Sequence, residues 1–131
     1  IYIGCVHDAT DRDLLTRTGI THVLSALEDC PEVPMSIEQL HLPISDTFSS
    51  EFEVLPSFLR GAQFIHEAVS AGGRVLVHCA AGVSRSPTMV AAYLILYHNM
   101  SMETSISHLQ ALRQVVSPNL AFLGVLLTME Q

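Results

Sequence analysis

Hydrophobic and polar positions along the chain switch between a period of two and a period of about 3.6, and the switches mark the elements. The run Val75-Leu76-Val77 is too brief for a buried helix and rich in β-branched residues, so it predicts an interior strand that ends at His78-Cys79. Residues 1–3 read as a strand, 21–26 as another through Val23 and Leu24, and 39–44 as a third. Thr10 followed by acidic residues predicts the start of a short helix that Gly19 stops, with a polar stretch between Gly4 and Thr10. Residues 28–34 are too acidic and proline-rich for regular structure, and 45–53 are polar and expected to be flexible. Over 55–71, Phe58, Ala62, Ile65 and Val69 fall at helical spacing, and Gly72-Gly73 suits the C-terminal cap. Residues 88–97 are apolar nearly all round, which predicts a helix buried on most sides. Ser101 caps a further helix with Met102, Ile106, Leu109 and Leu112 on one face, and Pro118-Asn119 opens a last one through Leu120, Leu123 and Leu127.

Strands alternating with helices predict an α/β fold: a mostly parallel central sheet flanked by helices, with the ligand site at the C-terminal ends of the strands. Cys79 lies at such an end. After it come the small residues Ala80, Ala81, Gly82, Val83 and Ser84, then Arg85 and Ser86-Pro87, where serine suits a helix N-cap and proline the first helical position. A loop between a central strand and the N-terminus of a buried helix points successive backbone N–H groups into one small space, so it suits a compact anion such as phosphate. A free thiol has a pKa of about 8.5, and one at a helix N-terminus near a cation falls to roughly 3.5–7.5, so Cys79 is a candidate nucleophile. Arg85 supplies a planar fork able to hold two phosphate oxygens.

Composition narrows the partners. The 131 residues have the length of one domain and a single core, and the start at Ile1 without methionine predicts a domain excised from a longer chain. Net charge is −7, all six cations are arginine, and no apolar stretch approaches the eighteen or so residues of a membrane span, which argues against nucleic acid or a membrane as partner. Three cysteines, Cys5, Cys30 and Cys79, are odd in number and lack metal-ligand spacing. Neither a disulfide framework nor a zinc site is indicated, and an intracellular, reducing compartment (cytoplasm or nucleus) is expected. Cys5 and Cys30 read as packing thiols, and His7, His22, His41, His66, His98 and His108 as surface or satisfied core residues without metal spacing.

His78-Cys79, five intervening residues, then Arg85-Ser86 resemble the signature loop of cysteine-dependent protein phosphatases, and Gly82-Val83-Ser84-Arg85-Ser86 resembles most the small dual-specificity branch. Ile1-Tyr2-Ile3-Gly4, Gly19-Ile20-Thr21-His22-Val23-Leu24, Leu42-Pro43-Ile44-Ser45-Asp46-Thr47, Ala91-Ala92-Tyr93-Leu94 and Ser117-Pro118-Asn119 are similar to that branch in the same order. Pro87 stands where the family often has alanine, outside the chemistry.

The resemblance implies a protein phosphatase that hydrolyses phosphotyrosine, phosphoserine and phosphothreonine through a cysteinyl-phosphate intermediate, with no metal or cofactor. It implies Cys79 as nucleophile, Arg85 and the loop 80–84 as phosphate binders, Asp46 as general acid and Ser86 as hydrogen-bond partner of the sulfur. His78 is implied as support for the loop. Three bland roles stay open: Asp46 as a turn former, Ser86 as an N-cap and Asn119 as a cap. The variable loop positions Ala80, Ala81, Val83 and Ser84 carry no cation, which favours a phosphorylated protein over a phosphoinositide as substrate. Two other readings are a phosphoprotein-binding scaffold with vestigial activity and a rhodanese-type sulfur transferase. Relatives that became scaffolds commonly lose the cysteine retained here, and the sulfur transferases lack the Cys79-to-Arg85 spacing.

Overall fold

The computed structural model describes residues 1–46 and 51–130. Its elements run β1 (Tyr2–Gly4), α1 (Val6–Ala9), α2 (Arg12–Thr18), β2 (His22–Ala26), β3 (Glu38–Leu42), α3 (Glu51–Ser70), β4 (Val75–His78), α4 (Arg85–His98), α5 (Met102–Leu112) and α6 (Leu120–Met129). The strands form one sheet in the order β1-β4-β2-β3, with every pairing parallel. The predicted α/β class and parallel central sheet are therefore found, with β4 interior and Ser25 and Gly4 in register with His78 on either side.

Side-chain alternation along β4 divides the core. Val75 and Val77 face α3, α4, α5 and α6 in the larger cluster, whereas Leu76 packs with Ala9, Leu15, Ile20 and Val23 beneath α1 and α2. Phe58 of α3 and Phe122 of α6, both fully buried, meet edge to face at 5.2 Å and lock α6 onto the larger layer. No helix among the described residues is long and apolar enough to cross a membrane.

Several elements depart from the sequence-based expectation. The stretch before Thr10 holds the one-turn helix α1, and Asp11, rather than Thr10, caps α2 by accepting from the Leu14 amide at 3.1 Å. Helix α3 begins at Glu51 and carries Pro56 in its interior, where the ring forfeits one hydrogen bond without ending the helix. The expected flexibility of 45–53 falls partly on residues 47–50, which lie outside the described residues, while 51–53 belong to α3. Helix α4 starts at Arg85 with Ser84 at the N-cap, so Ser86 is the second helical residue and Pro87 the third, not cap and first. Proline is still accommodated there, because the amides of a first turn have no partner within the helix. Val69 is exposed and Ala68 is buried in its place, and Leu112 is 74% exposed.

The last helix is found as α6, but the leucine spacing that marks it does not mark its buried face. Leu120 and Leu127 face solvent, while Ala121, Phe122, Val125, Leu126 and Met129 are buried. A helix apolar all round has no periodicity to choose a face, and packing against Phe58 decides it.

Candidate active site

Strand β4, buried along its whole length, delivers His78 and Cys79 to the C-terminal edge of the sheet. The chain then turns through 80–84 into α4. Gly82 makes that turn possible: its φ is +74°, and a Cβ there would lie 2.7 Å from Arg113 Nη2 and 2.9 Å from the Gly4 carbonyl oxygen. The loop is fastened from outside. The Val6 amide donates to the Ala80 carbonyl at 3.2 Å, the Ser117 amide to the Val83 carbonyl at 2.7 Å, and Arg113 to the Gly82 carbonyl at 3.1 Å and the Ala81 carbonyl at 3.4 Å. With its carbonyls held outside, the loop leaves the Gly82 N–H turned inward.

That N–H donates to Cys79 Sγ at 3.2 Å, and Ser86 Oγ lies 3.3 Å from the same sulfur. Burial pushes the Cys79 thiol up, but the hydroxyl and amide of Ser86, the Gly82 amide and the Arg85 charge together outweigh it and hold the thiol below its ordinary pKa. Ser86 thus spends its hydroxyl on the sulfur, and the N-cap role expected for it falls to Ser84.

Arg85, 8% exposed, donates through one Nη1 to Glu28 Oε1 at 2.6 Å and to the Ile44 carbonyl at 3.0 Å. Its Nε–H is buried without a hydrogen-bond partner. A buried, unpaired donor on a cation is costly unless a ligand takes it, and an anion in the loop is the partner of matching chemistry. The backbone amide of Glu28 and the Arg85 guanidinium hold the Glu28 carboxyl below the usual carboxylate range, with the Ser45 hydroxyl adding to them.

His78 is fully buried. Its Nδ1 lies 3.1 Å from the Cys79 carbonyl, which can only accept, so Nδ1 carries the proton and Nε2 accepts from Ser25 Oγ at 2.6 Å. Ser25 Oγ in turn accepts from Gln39 Nε2 at 3.0 Å. This chain from β3 through β2 to β4 fixes the ring, and burial lowers the imidazole's pKa, against the opposing pull of the Cys79 carbonyl. The ring is neutral at physiological pH.

Asp46 is exposed and lies in the segment after β3; Asn119 Nδ2 donates to its Oδ1 at 3.2 Å. The structure gathers Cys79, Gly82, Arg85, Ser86 and His78 around one loop, and Asn119 joins Asp46 to that loop through Ser84, whose Oγ accepts from the Asn119 amide at 3.2 Å. The sequence reading missed Glu28, Ser25, Gln39 and Arg113. Glu28 follows the C-terminal end of a strand next to the interior one, which is the single signal that could have raised it.

Comparison with known proteins finds relatives over the whole chain. The family described as dual specificity phosphatase, catalytic domain, matches residues 1–131. Human dual specificity protein phosphatase 26 is 39% identical over 136 residues, covering 100% of this chain and 64% of that protein. Human dual specificity protein phosphatase 16 is 36% identical over 133 residues, covering 100% of this chain but 20% of that protein. The crystal structure of DUSP15 aligns with a TM-score of 0.89 at 32% identity, covering 97% of this chain and 80% of that one. The chain thus spans between a fifth and about two-thirds of these two curated relatives. A family match over residues 1–131, together with relatives and a solved structure similar over nearly the whole chain, places this chain in the dual specificity phosphatase catalytic-domain family.

Proposed function

We propose that the domain hydrolyses phosphotyrosine, phosphoserine and phosphothreonine in proteins through a phosphate ester of Cys79. The observation that carries the reading is the pairing, on one loop, of a thiol held below its ordinary pKa with a buried guanidinium whose Nε–H has no partner. In the first step Cys79 Sγ attacks phosphorus, the bond to the substrate oxygen breaks, and Asp46 protonates that oxygen as it leaves. Loop amides and Arg85 hold the three remaining phosphoryl oxygens, where charge is spread in the transition state. In the second step Asp46, now a carboxylate, takes a proton from water as the water oxygen attacks phosphorus. Inorganic phosphate leaves, and Ser86 donates to the departing thiolate.

The phosphoprotein assignment rests on the side chains of the loop. Ala80, Ala81, Val83 and Ser84 bring no cation for additional phosphates, and the Arg113 guanidinium is occupied by the loop carbonyls. Peptides carrying phosphotyrosine and peptides carrying phosphothreonine are both expected to release phosphate. Complete refusal of the phosphothreonine peptide would overturn the dual assignment.

Glu28 holds Arg85 in place from the rim. Its carboxylate is largely exposed and the pair is screened by solvent, so Glu28→Ala is expected to raise KM for an aryl phosphate by roughly fivefold at most, with a smaller change in kcat. Steady-state kinetics check this, and an unchanged KM removes Glu28 from the binding of phosphate.

A further inference from the structure

Asn119 joins three parts of the site that are far apart in sequence. Its Oδ1 accepts from the Phe122 amide at 2.9 Å and caps α6, and its own amide donates to Ser84 Oγ, on the phosphate loop, at 3.2 Å. Its Nδ2 is left to reach Asp46, with Oδ1 at 3.2 Å and the carbonyl oxygen at 3.5 Å. Its backbone carbonyl accepts from the Leu123 amide at 3.1 Å, so every polar group of the residue is assigned, and the cap fixes which way the side-chain amide points.

We propose that Asn119 is a positioning residue that orients Asp46 for proton donation, an inference that rests on Asp46 acting as the general acid. A protonated carboxyl has one oxygen that only accepts and one that carries the proton. An N–H aimed at Oδ1 makes that oxygen the acceptor and leaves the proton on Oδ2, free to face the departing oxygen. The same bond holds the carboxylate after proton transfer, with Oδ2 turned to the incoming water. The segment after β3 carries Asp46 at an exposed position, so a tie to α6 and to the phosphate loop sets the distance between acid and sulfur. The bond therefore matters in proportion to how much the leaving group needs a proton.

The test separates this from simple capping. Asn119→Ser keeps an N-cap hydroxyl for the Phe122 amide but is too short to reach Asp46. Asn119→Asp keeps a cap acceptor and has no N–H to donate. For both variants kcat/KM for phenyl phosphate is expected to fall about tenfold, and to change by less than about twofold for an aryl phosphate whose phenol is strongly acidic. Thermal midpoints near that of the parent domain show that the cap survives. In an Asp46→Asn background the Asn119 substitutions are expected to cost nothing more.

Equal losses on both substrates, or additive losses with Asp46→Asn, overturn the proposal and leave Asn119 a structural tie of the loop. If Asp46→Asn slows phenyl phosphate hydrolysis while neither Asn119 variant does, the proposal alone falls. If Asp46→Asn leaves that rate intact, the acid assignment falls and takes the proposal with it.

Discussion

Cys79→Ser is expected to lower hydrolysis of aryl phosphates by at least about 10⁴-fold and to remove the stoichiometric burst of phenol that the parent domain should give on rapid mixing. The replacement is nearly isosteric, so the loop, the Ser86 contact and Arg85 remain. What changes is the acidity of the nucleophile: a thiol in this environment loses its proton far more readily than an alcohol, and among the described residues the sulfur's hydrogen-bond partners are the Ser86 hydroxyl and the Gly82 amide, neither of them a base. His78 cannot serve, because its Nδ1–H is held by the Cys79 carbonyl and its Nε2 by Ser25. A phenol burst retained in Cys79→Ser would refute the covalent route.

The same thiolate sets a pH dependence. Hydrogen bonds from Ser86 and Gly82 and the Arg85 charge stabilise the charged form, so the thiol titrates below its ordinary value. Activity toward an aryl phosphate whose phenol is strongly acidic should rise with pH through that lowered value. Ser86→Ala removes one donor to the charged form and is expected to move this acidic limb to higher pH. The pH dependence of iodoacetamide alkylation reads the thiolate directly and should shift in the same direction, and an unmoved limb would take Ser86 out of thiolate stabilisation.

Asp46→Asn is expected to cost about 10²–10⁴ in kcat/KM when the leaving group is a poor one, such as the alkoxide of serine or threonine. An amide of the same shape still accepts from Asn119 but has no proton to give. The loss should shrink as the leaving phenol becomes more acidic, because a stable phenolate departs without help. A plot of log kcat/KM against leaving-group pKa should therefore be steeper for Asp46→Asn than for the parent. Parallel lines would show that Asp46 acts through binding or local structure instead.

Much of this arrangement was legible in the residues because each local cue concerned backbone geometry. The apolar run before His78-Cys79, the small residues after it and the polar-to-apolar switch at Arg85 specify strand, tight loop and helix with little help from outside. Even so, the helix starts two residues earlier than expected, with Ser84 rather than Ser86 at the N-cap. Ser86 and Pro87 both suit a helix beginning, and the choice of Ser84 as N-cap rests on the docking of 117–119 against the loop, which supplies Ser84 with the Asn119 amide and Val83 with the Ser117 amide.

The exposed leucines of α6 show the limit more sharply. Leu120, Leu123 and Leu127 have helical spacing, but so do Phe122, Val125 and Met129; the second set is buried against Phe58's layer, while Leu123 is half-buried and Leu120 and Leu127 are exposed. Hydrophobic pattern reports that a residue can be buried, and shape complementarity across the core decides whether it is.

By itself the sequence determined the α/β class, the loop that holds Cys79 and Arg85, and the chemical types available there, since these follow from local propensity and from the side chains themselves. Tertiary structure alone decided who holds whom. Glu28 on Arg85, Ser25 on His78, Gln39 on Ser25, Arg113 on the loop carbonyls and Asn119 on Asp46 are contacts between residues 14 to 73 positions apart. Such pairings depend on strand register and helix docking, which bring together side chains whose separation along the chain carries no trace of their contact.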